Sequence, residues 1–272
     1  MLYALILGIV EGITEFLPIS STGHLILAQG ILGLPPTEFW KSFEIAIQSG
    51  AILAVVVLYW KKIWDVKNVW PKLLVAFLPT AVIGLALYKI VKHYLLGNNL
   101  VVLGALFVGG VVIILFEKWY VKEYTNVENQ ALRDSSAAVG MTTNDFANIT
   151  YRQAIYIGLF QSIAVIPGIS RSAATIIGGL ALGLSRPLII EFSFLLAVPT
   201  MAAATGLDLL KSGFNFSGSE WGIMAVGFIT AFLTALVAIK WLLRYITKHN
   251  FSVFGWYRVG LALAMILWIM FL

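Results

Sequence analysis

The chain has 272 residues, no cysteine, 60% hydrophobic and 11% charged residues, and a formal net charge of +5. That length could hold one or two soluble domains, but so apolar a composition excludes them and leaves a polytopic membrane protein. The missing cysteines exclude disulfides, thiolate metal sites and cysteine nucleophiles, and the basic residues, scattered at segment ends, set membrane orientation rather than bind nucleic acid.

In chain order, the start MLYALILGIVEG has no basic leader and carries Glu11 soon after, which argues against a cleaved signal peptide. The first apolar stretch breaks at Pro18 and Ile19-Ser20-Ser21-Thr22-Gly23-His24, then resumes from Leu25 to Leu32. A full crossing takes roughly 20 residues of helix, so this segment goes only part of the way and is predicted as a re-entrant helix-loop-helix hairpin. It covers about residues 2–34, and apolar runs near 43–60, 73–91 and 100–117 follow, each long enough to span. A polar stretch from Lys118 to Arg152 contains Glu123, Glu128, Arg133, Asp134 and Asp145 and is read as a linker. A second broken segment at about 152–184, interrupted by Pro167-Gly168-Ile169-Ser170-Arg171-Ser172, leads into spans near 188–210, 221–243 and 254–272.

The second half repeats the first. Residues 4–34 laid without gaps on 154–184 give nine identities, among them Gly8 with Gly158, Ile19 with Ile169, Ser20 with Ser170 and Gly33-Leu34 with Gly183-Leu184. The expected organisation is a first repeat over 1–119, a polar linker over 120–150 and a second repeat over 151–272. Three crossings per half is an odd number, so the second half is inverted relative to the first. The expected fold is therefore an all-α polytopic membrane protein with an inverted-topology repeat, six transmembrane helices and two re-entrant hairpins. Lys61, Lys62, Lys67, Lys72, Lys118, Lys122, Arg133, Arg152, Arg244 and Lys248 would share one face, with Lys41, Lys89, Lys92 and Lys211 opposite. The positive-inside rule makes the crowded face cytoplasmic, so the first hairpin enters from outside, the second from inside, and their tips meet near the midplane.

Each tip has the makings of an anion site. Serine and threonine at a helix start cap it and leave free amides, a ready phosphate cradle. The second tip adds Arg171, whose guanidinium matches phosphate oxygens in a bidentate way. An arginine at membrane depth costs at least about 2.5 to 3.5 kcal/mol on insertion scales, which favours a functional role over a bland one. Glu11 and Glu15, four apart, share one face of the first half-helix. Two like carboxylates in a low dielectric imply either a shared divalent cation or one protonated group available for acid-base work. His24 lies just past the first tip, within reach of a hydroxyl nucleophile. The second copy has Gln161, Val165 and Ala174 where the first has Glu11, Glu15 and His24, so the copies divide the labour. Glu44, Gln48, Glu191 and Ser193 are candidates for supporting roles, while His93, His249 and the tryptophans read as interfacial.

EGITEFLPISSTGH with PGISRSAAT closely resembles the undecaprenyl-pyrophosphate phosphatase family, the bacitracin-resistance type of membrane phosphatase, and FEIAIQSGAILAV, EFSFLLAVP and AVGFITAF extend the resemblance over nearly the whole chain. It implies hydrolysis of a polyprenyl (undecaprenyl) diphosphate to the monophosphate carrier of cell-wall synthesis and inorganic phosphate, in the cell membrane; the positive-inside count adds a site facing outside. The family's motif residues fall on Glu11, Glu15, Ser20, Ser21, Thr22, His24, Ser170 and Arg171. On this basis Glu15, Ser21, His24 and Arg171 are expected to be catalytic, with Ser21 as nucleophile and His24 as its acid-base partner. Attack by water or by His24 itself stays open. Ser20, Thr22, Gly23, Gly168, Ser170 and Ser172 are expected to bind substrate, and Glu11 and Glu15 to hold Mg2+ or Ca2+. The expected partners are the lipid diphosphate and the membrane, with no nucleic acid and with a homodimer left open. The competing class is a polyprenyl-phosphate flippase or transporter, which broken helices also fit; an ion-coupled carrier for a small solute is the third option.

Overall fold

A computed structural model describes residues 1–65, 69–95, 98–133, 146–212 and 216–271. Among them the chain is helical throughout, with short turns and no strand. Two short helices open the first half, α1 (Leu2–Thr14) and α2 (Ser21–Ile31), followed by α3 (Glu38–Leu58), a one-turn α4 (Trp60–Asp65), α5 (Val69–Ile90) and α6 (Asn99–Arg133). The second half opens on α7 (Tyr151–Ser162) and α8 (Arg171–Ala181), followed by α9 (Arg186–Ser212), α10 (Gly218–Ile246) and α11 (Ser252–Phe271).

Six of these helices are long and apolar enough to cross a membrane: α3, α5, the first part of α6, α9, α10 and α11. They coincide with the six predicted spans. The helix pairs α1/α2 and α7/α8 fall where the two broken segments were expected. Neither α4 nor the π-helical turn Val91–Leu95 was foreseen. Helix α6 continues through Arg133, so the predicted linker begins as an extension of a spanning helix, and its residues 134–145 lie outside the described ones.

The halves interlock. Helix α1 packs on α10 and α7 on α5, so each half's first short helix lies against a long helix of the other half; α3 meets α9 and α6 meets α11. Where lipid surrounds the helices, close packing of small residues replaces the hydrophobic drive. A Cβ on Gly8 would come 2.7 Å from the Gly227 carbonyl oxygen and 2.9 Å from Thr230 Cβ, and one on Gly158 would collide with the Ala76 carbonyl. Hydroxyls then bind the exposed carbonyls: Thr234 donates to Gly8 O at 3.3 Å and Thr80 to Gly158 O at 3.0 Å.

The two tips meet in the centre and one residue ties them down. Arg258 of α11 is fully buried. Its Nε donates to Leu106 O at 3.2 Å, and its Nη2 donates to Ala105 O at 2.9 Å and to Gly168 O at 3.0 Å. Its Nη1 reaches Pro18 O at 3.4 Å. Pro18 and Gly168 are the turning points of the first and second tips, so one buried cation satisfies backbone carbonyls of both. Gly109 leaves the space for it, since a Cβ there would collide with the guanidinium.

Candidate active site

Each tip is shaped by the residues that end one short helix and start the next. Helix α2 starts at Ser21 with Ser20 as its cap, Gly23 N donating to Ser20 Oγ at 3.3 Å. Helix α8 starts at Arg171 with Ser170 as its cap, Ala173 N donating to Ser170 Oγ at 3.2 Å. Helix N-termini expose amides without intrahelical partners, and here two of them flank one cavity of about 130 Å3. It is lined by Glu15, Ser20, Ser21 and Thr22 from the first hairpin, Ala164, Ile169, Ser170 and Arg171 from the second, Gln48 of α3 and Met201 of α9.

A chain of polar contacts crosses this cavity. Ser21 Oγ donates to Glu15 Oε2 at 2.6 Å. The other oxygen of that carboxylate, Oε1, accepts from Arg171 Nη2 at 3.1 Å. Arg171 Nη1 donates to Ser193 O at 2.9 Å, while its buried Nε has no partner. Thr175 and Ser193 hydroxyls are 2.6 Å apart and brace α8 against α9. Ser172 Oγ donates to Leu17 O at 2.8 Å and lies 2.8 Å from Ser170 Oγ, which stitches the second tip to the first.

Not every expected site residue lines the cavity. Glu15, Ser20, Ser21, Thr22, Ser170 and Arg171 do. Gly23, Gly168 and Ser172 serve the tips' own hydrogen bonds instead. His24 also lies outside the lining, and the structure pairs Ser21 with Glu15 rather than with His24. The His24 Nδ1 is 2.8 Å from Ser20 O, and a carbonyl only accepts, so Nδ1 carries the proton and Nε2 accepts from Tyr257 Oη at 2.8 Å. Glu11 is fully buried behind Glu15, and neither of its oxygens meets a donor. Of the supporting candidates, Gln48 lines the cavity and Ser193 holds Arg171. Glu44 accepts from Gln29 at 2.7 Å and Glu191 pairs with Lys62 at 2.6 Å, both away from the cavity lining.

Sequence reasoning missed Arg258, Tyr257, Thr175 and Met201. Arg258 did carry a signal, being an ionisable residue inside an otherwise apolar span. The others are ordinary membrane residues that only the fold brings to the tips.

Comparison with known proteins places the chain in a family. The bacitracin resistance protein BacA family matches residues 4–264. An undecaprenyl-diphosphatase of Aquifex aeolicus is 50% identical over 260 residues, covering 96% of this chain and 95% of that one. Undecaprenyl-diphosphatases of Sulfurihydrogenibium sp. and Persephonella marina are each 48% identical over 267 residues, covering 98% of both chains.

Proposed function

The chain belongs to the bacitracin resistance protein BacA family and is a membrane phosphatase that converts undecaprenyl diphosphate to undecaprenyl phosphate, recycling that carrier, and we propose that it does so with Ser21 as nucleophile and Glu15 as base. The observation that carries this mechanism is the unbroken contact from Ser21 through Glu15 to Arg171, with short helix N-termini on both sides. The transporter alternative is not favoured, because the relatives are diphosphatases and an anion carrier has no use for a carboxylate bonded to a serine.

Phosphoryl transfer asks a protein chiefly for positioning and charge stabilisation. The terminal phosphate of the lipid lies between the two helix starts, where their amides and the Arg171 guanidinium that lines the cavity receive its oxygens. Ser21 Oγ attacks the terminal phosphorus as its proton passes to Glu15 Oε2, and the bond to the bridging oxygen breaks to release the lipid monophosphate. Glu15 hands that proton to the departing lipid monophosphate; water then attacks the phosphoserine as Glu15 takes up its proton, and the same proton passes to Ser21 Oγ as the serine P–O bond breaks and inorganic phosphate leaves. His24 acts one step back: by donating to Ser20 O it holds the tip that presents Ser21.

Glu11 and Glu15 suit Mg2+ or Ca2+ in part. Glu11 offers two buried oxygens with no donor, and Glu15 keeps lone pairs beyond its two bonds. Among the described residues no three acidic or histidine side chains converge, so further ligands would be phosphate oxygens and water. When bound, such an ion would neutralise charge on the phosphate oxygens.

The two hairpins are re-entrant and the halves form an inverted repeat in this reading. Supporting it are the short α1 and α7, the proline-containing turns at membrane depth, and α3 running antiparallel to its counterpart α9, with Ser49 near Thr205 and Lys62 near Glu191. The repeats would cover 1–119 and 151–272, and the site would open to the outside, as the basic residues at the opposite face suggest. Trapping the enzyme with labelled substrate tests the mechanism. Label on Ser21 is expected, whereas label on His24, or on no residue, would overturn the serine.

A further inference from the structure

The catalytic cavity has room for phosphate but not for a long prenyl chain, so the tail must leave it by some route. Two apolar grooves of similar size lie beside the tips. One, of about 510 Å3, runs between α3 and α9, where Ile52, Leu53 and Val56 lie along Val198, Met201 and Ala202. The other, of about 520 Å3, lies between α1 and α10 around Leu17, Leu233 and Trp241. Of the two, only the first shares a lining residue with the catalytic cavity. Met201 lines both, and Gln48 in the cavity is followed along α3 by Ser49 at the groove. The second groove shares no lining residue with the cavity.

The groove also has the right chemistry along its length. At the cavity side stand Gln48 and the tip hydroxyls; the groove walls are mostly apolar, with Ser49 and Thr205 as the polar exceptions, and Leu53 is 40% exposed. Met201 is suited to the boundary because its unbranched thioether adapts to what passes. A Cβ placed on Gly206, beside Thr205 at the Ser49 end of the groove, meets nothing within 4 Å, so space remains there as well.

We propose that the α3–α9 groove is the tail site of the substrate: the first isoprene units of the lipid diphosphate lie along Ile52, Leu53 and Ala202, with Met201 dividing headgroup from tail. This rests on the phosphatase reading above and adds the side from which the lipid arrives.

Two measurements on the full chain test it. With the wild type, a prenyl phosphate carrying a photoreactive diazirine near its headgroup should label peptides of α3 and α9; label on α1 and α10 instead would overturn the proposal. With variants, Ala202→Phe and the milder Gly206→Leu should raise KM for undecaprenyl diphosphate about tenfold, the loss expected for two or so buried methylene groups. In both, kcat should stay within about twofold, and Leu233→Trp in the other groove should change neither constant. An unchanged KM in both filled variants, or a raised KM in Leu233→Trp alone, would sink it. If the wild type released no phosphate at all, the phosphatase reading itself would fail, whereas the labelling result would still locate the tail.

Discussion

Ser20 and Ser170 occupy equivalent places, each capping the helix that follows its tip, yet their backbones differ. Ser20 sits at φ +72°, in the region that favours glycine, while Ser170 is relaxed at φ −67°. The second tip makes its sharp turn at Gly168, with φ +94°. Strained backbone of this kind costs of order 1 to 3 kcal/mol and persists only where the surroundings hold it. Here the holding contacts are those of His24 to Ser20 O and of Arg258 to Pro18 O. The strain lies in the copy that carries Ser21 and Glu15, whereas the copy that contributes Arg171 is built without it. On the proposed mechanism, the strained tip is the one that presents the nucleophile and the regular tip the one that grips phosphate.

The largest expected effect removes the chemistry from the first tip. Ser21→Ala should lower kcat by about 10^3-fold or more, leaving only binding and charge stabilisation. Glu15→Gln should cost about 10^2- to 10^4-fold, the range for a lost general base. It should also lower the thermal unfolding temperature in detergent, because Arg171 would remain buried beside a neutral amide. Phosphate release and melting measured on the same samples separate the two variants: Ser21→Ala should melt almost as the wild type does.

Next in size is the grip of the second tip. Arg171→Lys keeps the charge but cannot reach Glu15 and Ser193 together, as the guanidinium does. A fall in kcat of about 10^2-fold is expected, the scale of one lost transition-state donor. Unchanged phosphate release in this variant would assign the charge stabilisation elsewhere and remove the division of labour.

The asymmetry can also be tested by reversing it. Gln161 stands where the first copy has Glu11, and its Nε2 donates to Thr80 at 2.9 Å and to Thr200 at 3.2 Å. Gln161→Glu replaces that donor with a buried acceptor among hydroxyls, so a loss of about 1 to 3 kcal/mol of stability is expected with no gain in activity. Melting and phosphate release together check it, and a more active variant would mean that the second copy is not committed to binding.

Much of this was legible before the fold was known, for reasons particular to each residue. The six spans follow from apolar length, the breaks from Pro18 and Pro167, and the tip chemistry from serines and an arginine at matching places. Membrane depth makes such residues conspicuous because each is costly there. Pairing was not legible. Proximity in sequence suggested His24 for Ser21, but in a helix beginning at Ser21 the side chain three residues on projects toward Tyr257 of α11, while Glu15, six residues back across the turn, faces the hydroxyl. Arg258 is conspicuous as an ionisable residue in an apolar span, but its partners were hidden: they are carbonyls, which every residue has, so no sequence pattern marks them.

The smallest expected difference bears most directly on the strained tip. Ser20→Gly relieves φ +72°, and glycine in place of a serine cap costs only a few tenths of a kcal/mol, so melting should stay near wild type or rise by up to about 1 kcal/mol. Ser170→Gly gains nothing at φ −67° and loses the hydroxyl beside Ser172 and Leu17 O, so a loss of about 1 kcal/mol or more is expected. Activity should run the other way. The relaxed Ser20→Gly tip no longer fixes Ser21 against Glu15, and a displacement of that order from attack geometry lowers kcat with little change in KM. Equal melting shifts in the two variants would mean that the serines are interchangeable caps and that the strain at Ser20 does not serve the reaction.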